Sequence, residues 1–95
     1  MQFVWDPEKA RKNLSKHGVG FTLAERIWDD PLHVITWDQY VDGEDRWIAT
    51  GLAGPSATLV VVHCHPDPDE TMRVRIISAR RATTRERRHY EQQSL

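Results

Sequence analysis

Arginines are concentrated near the C-terminus of this 95-residue chain. Seven of them lie between Arg73 and Arg88, a stretch in which Glu86 is the only acid. A guanidinium stays charged at every working pH, and its planar fork matches two oxygens of a phosphate. Fixed cations of this kind also stabilise the charge that develops on a phosphate group as it reacts. The cluster is therefore a candidate phosphate site; a solvated surface or a protein-docking face is the alternative interpretation.

The spacing of these arginines predicts how they are presented. Residues 71–79 alternate in polarity, which indicates a strand with Arg73 and Arg75 pointing the same way. Arg80 follows at the strand end, directly before a predicted helix N-terminus, which itself attracts anions. We predict that Arg75 and Arg80 contact the phosphate and the transition state, and that Arg46 joins them from a neighbouring strand.

Proton transfer requires further groups. His17 is a candidate general acid or base because of its titration range. Its place before Gly18, at a helix end, allows a simpler role in which the ring bonds to the last carbonyls. Glu86 is a candidate base, although a capping box with Thr83 would also account for it. The other predicted contacts to RNA have basic or aromatic side chains: Lys9, Lys16, Arg46, Arg73, Arg81 and Tyr90.

The net charge of −1 conceals a polarised chain. Six acids, with no Lys or Arg among them, lie between Asp29 and Asp45. The local field, rather than the net charge, decides whether a polyanion docks. We interpret the acidic stretch as a surface that orients a partner beside the basic one.

A histidine-rich segment suggests a metal hypothesis. His63 and His65 would share a strand face, and Asp67 or Asp69 is near enough in sequence to complete a site, with Asp67 as the choice for a metal-dependent hydrolase. The chain has one cysteine and no second spaced pair of ligands, which argues against structural zinc. We therefore predict neither a metal ion nor another cofactor.

Start and stop signals divide the chain into elements. Asp6 caps a helix that Gly18 ends, and a second helix is predicted over 21–28 with a Thr22–Glu25 capping box. Strands are predicted at 3–5, 33–37, 46–52, 57–63 and 71–79, with turns at 42–44, 54–56 and 66–69. A final helix is predicted from 83 to about 92.

This order, β-α-α-β-β-β-β-α, predicts an α+β fold. Short turns between strands favour a small antiparallel sheet of four to five strands, with N-terminal helices and a C-terminal helix packed on one face. Segment 57–63 is predicted to be central, and the four tryptophans to fill the core. The length suits a single domain over 1–95. The lack of a membrane-length apolar run, of a signal peptide and of a cysteine pair favours a cytoplasmic protein.

Three stretches of the sequence resemble the BrnT toxin family of type II toxin–antitoxin systems. They cover nearly the whole chain in order, and the Lys-His-Gly and Ile-Ser-Ala-Arg blocks are specific at this separation. The stretches are Phe3-x-Trp5-Asp6-x-x-Lys9 with Asn13, Lys16-His17-Gly18-Val19 and Phe21-x-x-Ala24; Arg46-Trp47 with Gly51 and Leu59-Val60-Val61-Val62; and Arg75-Ile76-Ile77-Ser78-Ala79-Arg80-Arg81-Ala82 with Glu86-Arg87 and Tyr90. The Pro- and Asp-rich segment from His63 to Glu70 departs from the pattern.

The resemblance implies a RelE-like fold and a metal-independent endoribonuclease that cleaves RNA and inhibits translation. It also implies a BrnA-like antitoxin that binds the toxin in a hetero-oligomer and represses the operon. We hypothesise that this antitoxin covers the arginine face, because blocking a phosphate site is the simplest inhibition. From the residues alone, a non-catalytic module that binds RNA or protein through the same basic face stays open, and only the resemblance separates the two.

Overall fold

The computed structural model describes residues 1–55, 57–67 and 69–93, which form one five-stranded sheet with helices on both of its faces. The strands lie in the order β1-β5-β4-β3-β2, so that β4 is central, as the apolar segment 57–63 predicts. The elements are β1 (Gln2–Val4), α1 (Pro7–His17), α2 (Phe21–Ala24), a 3₁₀ helix (Glu25–Asp29), β2 (Val34–Val41), β3 (Glu44–Leu52), β4 (Thr58–Cys64), β5 (Arg73–Arg81) and α3 (Thr84–Gln93).

The sheet is mixed, so the prediction of an antiparallel sheet is wrong for one pair of strands. β1 runs parallel to β5, with Gln2 opposite Arg73 and Val4 opposite Arg75. The other three pairs are antiparallel. Two strands far apart in the chain need no tight turn between them, and the long connection through the helices and β2–β4 permits a parallel pairing.

Two of the predicted helix signals flank α1, and both are confirmed. Asp6 accepts a hydrogen bond from the Glu8 N–H at 2.8 Å, and α1 ends before Gly18 with φ of 69°. The predicted box at the start of the second helix is wrong, because Gly20 is the N-cap and Thr22 lies inside α2. This helix also tightens into the 3₁₀ helix after one turn, where a continuous helix is predicted.

The predicted capping box before α3 is confirmed. The Thr83 hydroxyl accepts from the Glu86 N–H at 3.1 Å, and the Glu86 carboxylate accepts from the Thr83 N–H at 2.9 Å. The turn at 42–44 is also confirmed, with positive φ at Asp42 and Gly43 (52° and 81°) joining β2 to β3. The two other predicted turns include Ser56 and Pro68, which lie outside the described residues.

The core lies on one face of the sheet, under α1, α2 and the 3₁₀ helix. Its buried members on the sheet are Ala49, Leu59, Val61, Val74, Ile76 and Ala79, and those from the helical segment are Val19, Phe21, Ala24 and Ile27. α3 lies at the opposite face, where it forms a cleft with Val34 and Ile48. The prediction that all helices pack on one face is therefore wrong for α3. The Arg80 side chain, near the end of β5, already points to that opposite face and contacts Glu86 of α3 there.

Asn13 completes the edge of β5 where β1 stops. β1 pairs with β5 only as far as Arg75, so the main chain of Ala79 has no strand beside it on that side. The Asn13 amide group donates to the Ala79 carbonyl at 2.8 Å, and its oxygen accepts from the Ala79 N–H at 3.1 Å. The same amide nitrogen donates to the Val19 carbonyl at 2.9 Å. One buried side chain thus joins α1, the following loop and β5.

The four tryptophans do not share one environment. Trp28 packs edge-on against Phe3, with ring centroids 5.1 Å apart, and Trp5 packs against Phe21 at 5.8 Å. Trp37 is 56% exposed on β2, so the prediction that it fills the core is wrong. Its indole N–H donates to Asp45 across the hairpin, a contact that an exposed indole can make without burial.

Candidate functional site

The face of the sheet opposite the core, here called the open face, presents Arg75 and Arg80 together. In a regular strand two residues five positions apart point to opposite faces. β5 has a bulge, because His63 pairs with Ile76 while Val62 pairs with Ser78. The extra residue in the bulge shifts the alternation of the side chains by one position. Arg80 therefore points to the same face as Arg75. The two α-carbons are about 13 Å apart, at about 3.3 Å per strand residue.

Arg75 is held by a carboxylate from another strand. Its guanidinium donates to Glu44 on β3 at 2.6 Å, and both side chains are partly exposed on the open face. Cys64 of β4 is the strand partner of Arg75 and is buried beneath the Arg75 and Glu44 side chains. Burial raises the pKa of the Cys64 thiol, so Cys64 stays a neutral thiol next to the ion pair at neutral pH.

Arg80 is held by Glu86 in a two-pronged contact. The two guanidinium nitrogens donate to the two carboxylate oxygens at 2.7 and 3.0 Å. The hydrogen bond from Arg80, outweighing partial burial and helped by the Thr83 N–H, lowers the pKa of Glu86 to about 2. A carboxylate with so low a pKa takes up a proton poorly at neutral pH. The geometry therefore suits Glu86 to orienting Arg80 better than to accepting a proton.

Arg46 lies on the open face of β3. The next residue, Trp47, pairs with His63 of β4, so Arg46 lies beside Cys64. Cys64 in turn pairs with Arg75, which brings Arg46 near the Arg75–Glu44 pair. Its Nε is buried and has no hydrogen-bond partner among the described residues. Within that part of the chain, no carboxylate lies within ion-pair distance of Arg46, in contrast to Arg75 and Arg80. An unsatisfied buried donor costs free energy unless an acceptor arrives.

A cleft of about 820 Å³ lies beside the Arg80–Glu86 pair. Val34 and Ile48 give it an apolar floor, and Thr36 and Thr50 add hydroxyls. Basic and amide side chains of α3 form its other wall: Arg85, Arg88, His89, Gln92 and Gln93. Glu86 also lines the cleft, which therefore lies next to the Arg80–Glu86 pair and has the positive charge of Arg85 and Arg88 at its rim.

The remaining predicted site residues are dispersed. Lys9 and Lys16 are exposed on α1, on the side of the sheet that contains the core. Arg73 has the same strand parity as Arg75 and belongs to the open face, whereas Arg81 pairs with Leu59 and points the other way. The structure thus brings Arg73 to the paired arginines and leaves the other three apart.

His17 is half-buried, one helical turn beyond Asn13 on the same side of α1. Asn13 is itself bonded to Ala79, near the C-terminal end of β5. In the described part of the chain, no hydrogen bond or ion pair joins His17 to Arg80 or Glu86, and none joins it to the last carbonyls of α1.

Tyr90 is 5% exposed, so its ring has no open face on which a base could stack. Its hydroxyl donates to the Asp30 carboxylate, which also accepts from the main-chain N–H groups of Leu32 and Leu52, each at 2.9 Å. Burial alone would raise the pKa of Asp30, but these hydrogen bonds, first that from Leu52, lower it. Tyr90 therefore anchors α3 to the end of the 3₁₀ helix.

Sequence reasoning missed Glu44 and Asp30. Glu44 is part of the acidic stretch and next to a turn, which are ordinary surface positions in a sequence. Its meeting with Arg75 depends on β3 and β5 being separated by one strand, which no local pattern shows. Asp30 stands before Pro31, where an acid is typical of a turn, and only the packing of α3 shows its contact with Tyr90.

His63 and His65 share a strand face as predicted, with ring centroids 5.8 Å apart. Among the described residues, however, no three His, Cys, Asp or Glu side chains come together as a metal ion would require. His63 is instead a core residue, fully buried against Trp28 with centroids 5.0 Å apart. The Nδ1 atom of His65 contacts the Arg73 carbonyl at 3.1 Å.

His63 makes the stability of the fold sensitive to mild acid. Burial lowers the pKa of His63 to about 4, against an ordinary value of 6.5, and neighbouring His65 and His33 act in the same direction. The unfolded chain therefore binds a proton between pH 6.5 and 4 that the folded chain excludes, and stability falls as pH falls through that window. We expect the free energy of unfolding to drop by about 2 kcal/mol from pH 7 to pH 5.

Urea unfolding at the two pH values measures this drop. His63→Leu, which fills the apolar site without a titrating group, should reduce it strongly. The low pKa of Glu86 affects a separate window, below its ordinary value of 4.5. An equal drop in wild type and His63→Leu would contradict the assignment to His63.

None of the helices in the described part of the chain has the length and apolar character that crossing a bilayer requires. A solved structure of another protein has a similar fold. The chain is similar to the crystal structure of the ribonuclease toxin BrnT of Brucella abortus, with a TM-score of 0.63 and 24% identity over 88% of this chain and 99% of that one. This likeness concerns the fold. No curated protein matches the sequence.

A family model supplies the assignment that the fold alone does not. The model of the ribonuclease toxin BrnT, of type II toxin–antitoxin systems, matches residues 5–86. That range includes α1, the whole of β2–β5 and the first turn of α3, and so both arginine–carboxylate pairs. The chain therefore belongs to the BrnT family of ribonuclease toxins.

Proposed function

We propose that this chain is a metal-independent, cytoplasmic endoribonuclease that cleaves RNA on its open face, inhibits translation and is neutralised by a BrnA-like antitoxin in a hetero-oligomer. The observation that supports this most directly is the pair of contacts Arg75–Glu44 and Arg80–Glu86 on that face. A carboxylate presents two oxygens to a guanidinium much as a phosphate does. Each guanidinium keeps N–H donors that its carboxylate does not use, so a phosphate of RNA can bind beside each pair.

In the proposed reaction the 2′-oxygen attacks the adjacent phosphorus, and the bond from phosphorus to the 5′-oxygen breaks. The 2′-hydroxyl proton passes to a base and the 5′-oxygen receives a proton, which leaves a 2′,3′-cyclic phosphate and a 5′-hydroxyl. Arg80 stabilises the charge on the phosphate as it becomes pentavalent. Arg75, earlier on β5, holds another phosphate of the strand. Arg46 offers a guanidinium that has no carboxylate within ion-pair distance in the described part of the chain.

The proton-transfer roles follow from the surroundings of each group. Glu86 is fixed by Arg80 and by the cap of α3, and we assign it to orienting Arg80. Glu44 is bound to Arg75, about 13 Å along β5 from Arg80, so we assign it to orienting Arg75 and not to proton transfer beside Arg80. His17 is the proposed donor to the 5′-oxygen, because it is half-buried one helical turn after Asn13, which is bonded to Ala79, the residue before Arg80.

The other basic residues bind the RNA strand on either side of this centre. Arg73 extends the open face, and Arg81 with Lys9 and Lys16 would contact a strand that passes over the β5 edge towards α1. Tyr90 has a structural role in this proposal, because its ring is buried. The antitoxin inhibits most simply by covering the arginines.

The test is incubation of the purified chain with single-stranded RNA in the presence of a chelator. We expect cleavage with 2′,3′-cyclic phosphate and 5′-hydroxyl ends, at a rate that the chelator does not change. Induced expression in bacteria should then arrest growth and protein synthesis. RNA that is bound, with an affinity that falls steeply with salt, but left intact would support the non-catalytic binding module instead.

A further inference from the structure

β2 is an exposed edge of the sheet. It is the last strand in the order and pairs on one side only, with β3. With eight residues it is long for an edge strand, whereas β1 at the opposite edge has three. In the described part of the chain no other segment pairs with its outer main-chain groups. Such an edge is a template for another strand unless something covers it.

A stripe of large apolar side chains runs along β2. Ile35, Trp37 and Tyr40 are 43%, 56% and 66% exposed. A bulge after Trp37 keeps them on one face, because their partners on β3 are Ala49, Trp47 and Asp45, which share a face. Exposed aromatic residues aligned in this way are typical of protein interfaces rather than of solvated strands.

The charged residues of β2 and of the hairpin turn up to Asp45 are all acidic. Asp38 lies in the bulge, Asp42 forms the hairpin turn and Asp45 bonds to the Trp37 indole. No Lys or Arg occurs from Asp29 to Asp45. This field repels the RNA backbone, and it would place like charges together if two copies of the chain paired through β2.

We propose that β2 is the docking edge for an extended segment of the antitoxin that bears Lys or Arg residues and adds to the sheet as a sixth strand. Main-chain hydrogen bonds to the open edge provide affinity, and the aromatic stripe and the acidic rim select the apolar and basic side chains of the segment. The partner's identity as an antitoxin rests on the proposed function.

This docking edge is separate from the arginines of the open face. RNA and antitoxin then meet surfaces of opposite charge, the first on β5, next to the β1 edge, and the second on β2, at the other edge of the sheet. Attachment at β2 lets a further part of the antitoxin reach over the sheet to the arginines. Loss of the docking edge should therefore weaken inhibition without changing the cleavage centre.

The test compares Tyr40→Lys with Leu14→Lys, a matched control that adds the same charge at a similarly exposed apolar residue on α1. The antitoxin, purified from its complex with this chain, is titrated against each variant by calorimetry. We expect Tyr40→Lys to weaken binding about tenfold or more, and Leu14→Lys to leave it near the wild-type value. Higher salt should also weaken wild-type binding.

Hydrogen exchange of the wild-type chain gives an independent readout. Amides of residues 34–41 should become protected when the antitoxin binds, since strand addition engages the outer main-chain groups of β2. Equal affinities of the two variants, unprotected amides at 34–41, or a dimer of the chain alone that Tyr40→Lys dissociates would each overturn the proposal. Without antitoxin, Tyr40→Lys is expected to cleave RNA at the wild-type rate. A failure of antitoxin docking can therefore be told apart from a failure of the proposed nuclease activity.

Discussion

Replacing Arg80 with alanine is expected to slow RNA cleavage by about a hundredfold or more, the usual effect of removing one fixed group that stabilises developing charge. The side chain is on the open face and points toward Glu86 and the cleft, where a phosphate would lie. The loss should appear in the rate of the chemical step at saturating RNA, measured in single turnovers. Stability should change little, because the pair is more than one-third exposed on both sides and Glu86 keeps its hydrogen bonds to the cap.

Arg87→Ala is the matched control. Arg87 is on α3, 54% exposed, and among the described residues its one ion pair is with Glu91, at 3.8 Å. Removing it deletes the same charge from the same region without touching the open face, so we expect cleavage close to the wild-type rate. If Arg80→Ala and Arg87→Ala cleaved RNA equally fast, with both variants folded, Arg80 would contribute only to the general positive field.

The local elements of this fold could be predicted from the sequence, because their causes are local. Asp6 and Thr83 cap helices through groups three residues away or fewer, and the Asp42–Gly43 turn joins strands that are neighbours in the chain. The second helix was predicted too long, because apolar periodicity does not distinguish an α-helix from one that tightens to a 3₁₀ turn.

The arrangement of the candidate site depends on features that local patterns do not show. Arg75 and Arg80 have opposite strand parity, and only the bulge opposite His63 brings them to one face. Glu44 reaches Arg75 because β4 alone separates their strands. Trp37 was predicted to be buried on its residue type, but β2 is an edge strand and leaves it exposed. In each case the missing information was which strand lies next to which.

Replacing Asn13 with alanine is expected to destabilise the fold by about 3 kcal/mol, since three buried hydrogen bonds are lost and their main-chain partners stay buried. The Ala79 N–H and carbonyl have no strand to turn to, because β1 ends before reaching them, and the Val19 carbonyl loses its donor as well. For a chain of this size the melting temperature should fall by about 15 °C, measured by circular dichroism.

Ser15→Ala, at an exposed position on the same helix, is the control and should leave the melting temperature nearly unchanged. Asn13→Asp tests the direction of the bonds. Its carboxylate can still accept from the Ala79 N–H but would face the Ala79 and Val19 carbonyls, so we expect it to be at least as destabilising as alanine. A melting temperature for Asn13→Ala close to that of Ser15→Ala would mean that water replaces the amide. If instead the large loss is found, Asn13 holds the open end of β5, and with it Arg80, in place beside α1.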